Sequence, residues 1–267
     1  MSTIQHGVQG PMTEPVTPRG IPLSRITATE LRKMLDTRSG FWTMASIALA
    51  SLATTGMVIL FADREDLTYR TFTAAISVPM SLILPIIAIL SVTAEWSQRS
   101  GLTTFTLVPH RSRVIAGKLV ASIAIAVVAT PVAFAIGAVG NVAGTALAGA
   151  HPVWDLTAAN LLTIELANVL GMLVGFMLGV LVRNSSAALV AYLLYQFLLP
   201  TLALILAAKQ DWFSEVQPWV DFDFATGALL DGPLSSEQWA QLAVTGLVWL
   251  VVPLAVGLRL VVRAEVK

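Results

Sequence analysis

The stretch Glu95-Trp-Ser-Gln-Arg-Ser-Gly-Leu-Thr-Thr-Phe-Thr-Leu-Val-Pro-His-Arg-Ser-Arg-Val-Ile-Ala-Gly-Lys118 is the one long polar, basic segment that lies between two strongly apolar runs. Loops of membrane proteins that are rich in Lys and Arg stay on the cytoplasmic side. The stretch therefore predicts that residues 95–118 form a cytoplasmic loop, and that the apolar runs on either side of it cross a membrane.

The composition of the whole chain supports this interpretation. Its 267 residues are 56% hydrophobic and 12% charged, whereas a soluble domain carries about 25% charged residues. The absence of cysteine excludes disulfides, thiolate metal sites and thiol nucleophiles. Residues 1–23 are polar and proline-rich, without an apolar core and cleavage site. We therefore predict a flexible cytoplasmic tail there and not a removed signal peptide.

The apolar runs predict an all-α integral membrane protein, with a transmembrane domain over 40–267. A hydrocarbon core of about 30 Å requires roughly 20 apolar residues in a helix. Segments of that length lie at about 41–61, 72–94, 114–140, 158–182, 187–208 and 239–262.

The distribution of charge orients these six predicted spans. Thirteen Lys and Arg residues fall in the N-terminal tail, the second and fourth loops and the C-terminus. The opposite side holds ten acidic residues and three basic ones: Arg64, Arg70 and Lys209. Because the basic side of a membrane protein is cytoplasmic, both termini are predicted to be cytoplasmic.

Residues 24–39 are predicted to form an amphipathic elbow helix that lies in the inner interface of the membrane. One face would be apolar, with Ile26, Leu31, Met34 and Leu35. The charged residues would lie largely elsewhere on the helix: Glu30, Arg32, Lys33 and Asp36. Thr27 followed by Glu30 predicts a capping box. The segment is either a plain membrane anchor or an elbow that also touches a motor subunit.

The centre of the 95–118 loop predicts a helix of about two turns between Gly101 and Pro109. It would expose a small apolar patch that a partner could cover, formed by Leu102, Phe105, Leu107 and Val108. Glu95 could pair with Arg99 one turn later, or with basic residues beyond Pro109. The alternative is a solvated loop whose basic residues only determine topology.

These features resemble the permease subunits of type 2 ABC exporters. The likeness covers about residues 24–262 and includes the six-span plan. In the family the basic residue of the loop is usually followed by Gly-Thr, where this chain has Gly-Leu-Thr. The motifs that carry the likeness are Glu30-Leu-Arg-Lys-Met-Leu-Asp-Thr-Arg38, Glu95, Gly101-Leu-Thr103, Pro109-His-Arg-Ser-Arg113 and Gly117-Lys118.

The resemblance implies a coupling helix in the loop that docks on a separate ATPase subunit, which would bind ATP and Mg. It further implies a dimer with a second permease copy or a paralogue, embedded in the lipid of a bacterial plasma membrane. The chain would be a non-catalytic subunit that exports an amphiphilic or lipid-like substrate. Besides Glu30, Arg32 and Lys33 of the elbow, the coupling residues would be Glu95, Arg99, Gly101, Leu102, Phe105, Leu107, Pro109, Arg111 and Arg113.

Two features of the fourth predicted span are notable. Gly171, Gly175 and Gly179 recur every four residues, which favours close packing against another helix, in this chain or in a second copy.

Glu165, with Asn168 one turn away, is the one acid well inside a predicted span. A carboxylate in that position either belongs to a substrate or proton path or makes a structural hydrogen bond.

The segment 209–238 is predicted to lie on the outer side. It is rich in aromatic residues interleaved with acids: Trp212, Phe213, Trp219, Phe222 and Phe224. Such residues favour the headgroup level of a membrane. The segment predicts either a re-entrant or interfacial helix pair that caps an exit path, as in the external region of type 2 exporters, or a surface loop anchored by aromatic side chains.

The sequence also excludes several functions. It has no G-x-x-x-x-G-K-[ST], H-E-x-x-H or G-x-S-x-G motif, which argues against ATP binding by this chain, a metal site and hydrolase activity. Its basic residues do not form a nucleic-acid binding face. Two alternatives to an exporter subunit stay open. One is an ATP-independent secondary transporter or channel that uses Glu165, and the other is a membrane scaffold such as an immunity or assembly protein.

Overall fold

A computed structural model of the protein describes residues 22–36, 38–97 and 111–263. Within these ranges the chain is helical, and its one extended pairing is a bridge between Thr68 and Val153. Six helices are long and apolar enough to cross a membrane, so the protein is an all-α multi-pass membrane protein. In chain order, spans one to six are Gly40–Phe61, Tyr69–Ala94, Ser112–Leu147, Ala158–Val182, Ser185–Lys209 and Ser236–Val261.

The spans agree with the predicted apolar segments to within a few residues, except at the end of span three. This helix was expected to end near residue 140 and instead continues to Leu147. Polar side chains extend it: Asn141 Nδ2 donates to Val153 O at 2.9 Å, and Thr145 Oγ1 donates to Asn141 O at 2.6 Å. Both residues are buried between neighbouring elements and not in lipid.

A shorter helix, Leu23–Leu35, precedes span one and is called the N-terminal helix below. It overlaps most of the segment 24–39 predicted to be an elbow, and its position in the membrane interface stays a prediction. The predicted capping box is wrong. The helix begins after Pro22, so Thr27 lies in its interior and cannot cap it. Proline supplies the start because its fixed φ suits the residue before a helix and it has no amide proton to satisfy.

Spans two and four form the centre of the bundle. They are the most buried of the six, whereas span five is the least buried. Spans two and four approach closely because Gly175 of span four has no side chain. A Cβ atom there would lie 2.6 Å from Pro85 Cα of span two. At Gly179 a Cβ atom would lie 3.1 Å from Val92 Cβ. The helix that packs on the glycines of span four is therefore span two of the same chain.

Two short helices, Asp211–Val220 and Phe222–Asp231, connect spans five and six and are called the hairpin helices. Asp221 separates them and caps the second, because its carboxylate accepts the N–H groups of Asp223 and Phe224 at 3.0 and 3.2 Å. A helix pair was one of the two structures predicted for this segment. The structure favours it over a surface loop.

Candidate functional site

A buried ion pair joins the N-terminal helix to span three. Glu30 Oε2 lies 2.5 Å from Lys118 Nζ, and Glu30 Oε1 lies 2.7 Å from Lys33 Nζ. Glu30 is 3% and Lys118 5% exposed. Burial alone would raise the pKa of Glu30, but the charges and hydrogen bonds of Lys118 and Lys33 bring it below its ordinary value. The carboxylate therefore stays ionised at neutral pH.

The burial of Glu30 corrects the predicted orientation of its helix. Glu30 was placed with the charged residues, away from the apolar face, yet it lies one turn after the buried Ile26 and on the same side. Helical residues four apart share a face. Arg32 is exposed, and Lys33 is partly exposed beside Glu30. The local sequence pattern does not reveal this arrangement, because Lys118, the partner of Glu30, is 88 residues away.

The N-terminal helix approaches span three closely at Gly117. A Cβ atom at that position would lie 2.7 Å from Ile26 Cγ2, so any larger residue would push the helix away. The Lys118 ammonium group also donates to Ser91 O of span two at 3.2 Å. Thr93 Oγ1, half a turn further along span two, is 2.8 Å from Ser185 Oγ of span five. The N-terminal helix and spans two, three and five are thus linked at one end of the bundle, the end predicted to be cytoplasmic.

Most of the predicted coupling residues fall between the described ranges. Glu95 lies in the last turns of the helix that contains span two, and Arg111 and Arg113 lie in the first turn of the helix that contains span three. Arg113 is exposed. The two helices that flank the 95–118 loop are thus described by the structure, and both lie beside the Glu30–Lys118 ion pair. The coupling residues outside the described part of the chain are Arg99, Gly101, Leu102, Phe105, Leu107 and Pro109.

A cavity of about 520 Å³ lies towards the other end of the bundle, between spans two, four and five and the second hairpin helix. Its volume is within the range of sites that bind drug-sized molecules. Span two contributes a row of small polar side chains to its wall, Thr73, Ser77 and Ser81, and span four contributes Asn168 and Gly171. Span two therefore lines the cavity at one end and contacts Lys118 at the other.

Span five contributes two tyrosines and an amide to the cavity, and its backbone is irregular at the same level. Residues Leu194–Leu198 form a π-helical turn in the middle of the span. Tyr192, Tyr195 and Gln196 line the cavity together, because residues three and four apart share one face of a helix. The Tyr192 hydroxyl donates to Ser81 O of span two. The same hydroxyl oxygen lies 3.0 Å from Gln196 Oε1. Turns of this kind are frequent at functional sites.

The turn between the hairpin helices lies far from the outer end of span six. Trp249 Nε1 donates to Val220 O at 2.7 Å, and Trp249 is thirteen residues from the start of span six at Ser236. At about 1.5 Å per residue this is about 20 Å. Val220 and the residues after it are thus level with the middle of span six. The Trp249 contact also involves a π-helical turn, Leu247–Val251.

The two polar residues predicted for a substrate path have different positions. Asn168 lines the cavity, and its Nδ2 donates to Thr130 Oγ1 of span three at 3.4 Å. Glu165 is not part of the cavity lining. Both of its carboxylate oxygens are buried without a well-formed hydrogen bond to the described residues, in the neighbourhood of Thr130. The two residues therefore share Thr130 as a neighbour, but only Asn168 lines the cavity.

Sequence reasoning missed Asp223, Tyr192 and Tyr195 as cavity residues. Asp223 was counted only among the acids of the outer side. Its sequence neighbours, Phe222 and Phe224, do not distinguish it from Asp211 and Asp221, which also adjoin aromatic residues. The tyrosines carried no signal in an otherwise apolar span.

No family model matches the chain, and no curated protein matches it. The geometry of the ion pair and the cavity therefore carries the functional argument.

Proposed function

We propose that the chain is the membrane-spanning subunit of an ATP-driven exporter of the type 2 ABC class, which moves an amphiphilic or lipid-like substrate outward. One observation carries the proposal: span two lines the cavity at one end and is held to span three and the N-terminal helix by Lys118 at the other. A force applied to the 95–118 loop would act on both flanking helices together, and through span two on the cavity wall.

The proposed cycle follows from this linkage. An ATPase on a separate chain docks on the loop around Phe105 and binds ATP and Mg. When ATP closes a pair of such ATPases, the loops pass the movement to spans two and three of two facing permeases. The permeases alternate between two states, and ATP drives the change only because the ATPases bind it more tightly in one of them.

The cavity supports an amphiphilic substrate. Its lining contains exposed apolar side chains, Val78 at 65% and Leu230 at 43% exposure, besides the exposed charged residues Arg70 and Asp231. A molecule with an apolar body and a polar head would contact both kinds of surface.

The decisive experiment is purification of the tagged chain from its native membrane in mild detergent, followed by mass identification of what accompanies it. We expect a stoichiometric ATPase with a Walker A motif, and we expect Phe105→Asp to abolish its association because the charge would disrupt an apolar docking patch. The matched control is Val153→Asp, which introduces the same charge at an exposed position at the opposite end of the bundle. Purification of the chain without any ATPase would remove the basis of the proposal.

A second candidate is an ATP-independent transporter coupled through Glu165. It is favoured by the burial of both Glu165 oxygens without a well-formed hydrogen bond, because a buried carboxylate in a span is costly and commonly marks a substrate, ion or proton path. Transport by the purified chain in vesicles that contain an ion gradient and no ATPase, abolished by Glu165→Gln, would support this candidate against the first.

A further inference from the structure

The charges around the cavity are unevenly distributed with depth. Arg70, in the first turn of span two, and Asp231, at the end of the second hairpin helix, are both exposed at the rim. Asp223 lies in the first turn of that helix, next to the deep turn that Trp249 contacts. The rim therefore carries one charge of each sign, whereas the deep part of the cavity carries a single carboxylate.

Asp223 has the features of a counter-ion without a partner. Its carboxylate makes no hydrogen bond or ion pair with the described residues, whereas the neighbouring Asp221 accepts two N–H groups and Gln217 Nε2 at 3.1 Å. Asp221 is thus occupied by the cap of its helix, and Asp223 is not. Charged side chains at such depth are costly, and those that proteins retain commonly mark substrate or ion paths.

The surroundings of Asp223 suit an organic cation better than a metal ion. Asp223 lines the same cavity as Tyr192 and Tyr195 of span five. Tyrosine rings attract cations through their π faces. A calcium ion needs six to eight oxygen ligands, and nowhere in the described ranges do three or more acids or histidines gather to hold a metal.

We propose that the cavity binds an amphiphilic organic cation, with Asp223 as the counter-ion of its charged group, the tyrosines of span five beside that group, and the apolar lining residues around its body. The inference deepens the proposed function by naming a substrate class. It rests on that function only for the export of the bound molecule, because binding can be measured on this chain alone.

Two ions of matched shape and opposite charge test the proposal: tetraphenylphosphonium and tetraphenylborate. The full chain in lipid nanodiscs is equilibrated with each labelled ion, and binding to empty nanodiscs is subtracted. We expect saturable binding of the phosphonium cation and none of the borate anion. Equal binding of both ions, or no saturable binding of the cation, would overturn the proposal.

Variants locate the site. Asp223→Asn is expected to weaken binding of the cation by about tenfold to hundredfold, the range typical of an interaction with a charged group. Asp223→Glu keeps the charge and should stay within about threefold of the unmodified chain, which separates loss of charge from loss of fold. Asp66→Asn removes the same charge from an exposed position outside the cavity and should have no effect. An Asp223→Asn chain that binds the cation as tightly as the unmodified chain refutes the assignment.

The outcome is independent of the docking experiment. A chain that co-purifies with an ATPase but does not bind the cation would overturn this inference and leave the proposed function intact. A chain that binds the cation through Asp223 but has no ATPase partner would support the inference and remove the ATP-driven mechanism.

Discussion

The Lys118 ammonium group of span three lies 2.5 Å from the Glu30 carboxylate of the N-terminal helix, and neither residue is more than 5% exposed. Two charges in such surroundings are stable only as a pair, because each pays a desolvation penalty that only its partner offsets. The pair lies beside the flanks of the 95–118 loop and determines where the N-terminal helix packs.

Removal of one partner should therefore be far more damaging than removal of both. Glu30→Ala leaves Lys118 buried without its carboxylate and should lower the free energy of unfolding by about 3–5 kcal/mol. Replacement of both by apolar residues, Glu30→Leu with Lys118→Met, should restore most of that loss. Thermal unfolding of the purified chain in detergent measures both. Lys33→Ala is the control, because Lys33 is half exposed and such pairs contribute about 0–1 kcal/mol. Equal losses in Glu30→Ala and Lys33→Ala would contradict the assignment.

The same pair predicts a dependence of stability on pH. The pKa of Glu30 in the folded chain lies below its ordinary value of 4.5, so its contribution to stability is complete above that value. It is lost as the pH falls through the folded pKa, because the unfolded chain then binds a proton that the folded chain does not. The thermal unfolding midpoint should be measured as the pH is lowered below 4.5. It should fall more steeply for the unmodified chain than for Glu30→Gln, whose side chain cannot titrate. Parallel curves would show that the pair does not contribute.

The contact between spans two and four should tolerate no side chain at Gly175. Gly175→Ala places a Cβ atom 2.6 Å from Pro85 Cα, which is backbone and cannot rotate away. We expect a loss of about 1–3 kcal/mol, as for overpacked cores. Gly56→Ala in span one has nothing within 4 Å of the added atom and should be neutral or slightly stabilising. Thermal unfolding of the two variants side by side distinguishes the contact from a general effect of alanine.

The attachment of the hairpin helices to span six can be tested through the hydrogen bond that joins them. Trp249→Phe removes the donor to Val220 O and should cost about 1–2 kcal/mol, since the carbonyl is left unpaired. Trp42→Phe, at a position 59% exposed on span one, should change stability by less than about 0.5 kcal/mol. If the two tryptophan variants unfold at the same temperature, the bond does not hold the hairpin in place.

The orientation of the chain in the membrane can be measured without background labelling, because the sequence contains no cysteine. Ser24 and Asp66 are exposed and lie at opposite ends of the bundle. An impermeant maleimide should label Asp66→Cys in intact cells and Ser24→Cys only after the membrane is opened. Ser122→Cys is the control, since Ser122 is fully buried and should stay unlabelled throughout. Labelling of Ser24→Cys in intact cells would reverse the predicted topology.

Sequence reasoning was accurate where a property depends on local composition. The length and apolarity of each span are local, which is why five of the six helices end within a few residues of their predicted bounds. Span three is longer than predicted because Asn141 and Thr145 are buried and hydrogen-bonded in the folded chain. In the sequence, these polar residues suggest the end of a helix.

The sequence by itself thus determined that the protein is an all-α membrane protein of six spans, because about 20 consecutive apolar residues have no other stable place than a bilayer. It also predicted the basic and acidic ends. Only the tertiary structure decided that Glu30 faces inward to Lys118, that the glycines of span four pack on Pro85, and that Asp223 reaches a cavity beside Tyr195. Each of these contacts joins residues far apart in the chain, and their energies depend on burial and distance that no local pattern encodes.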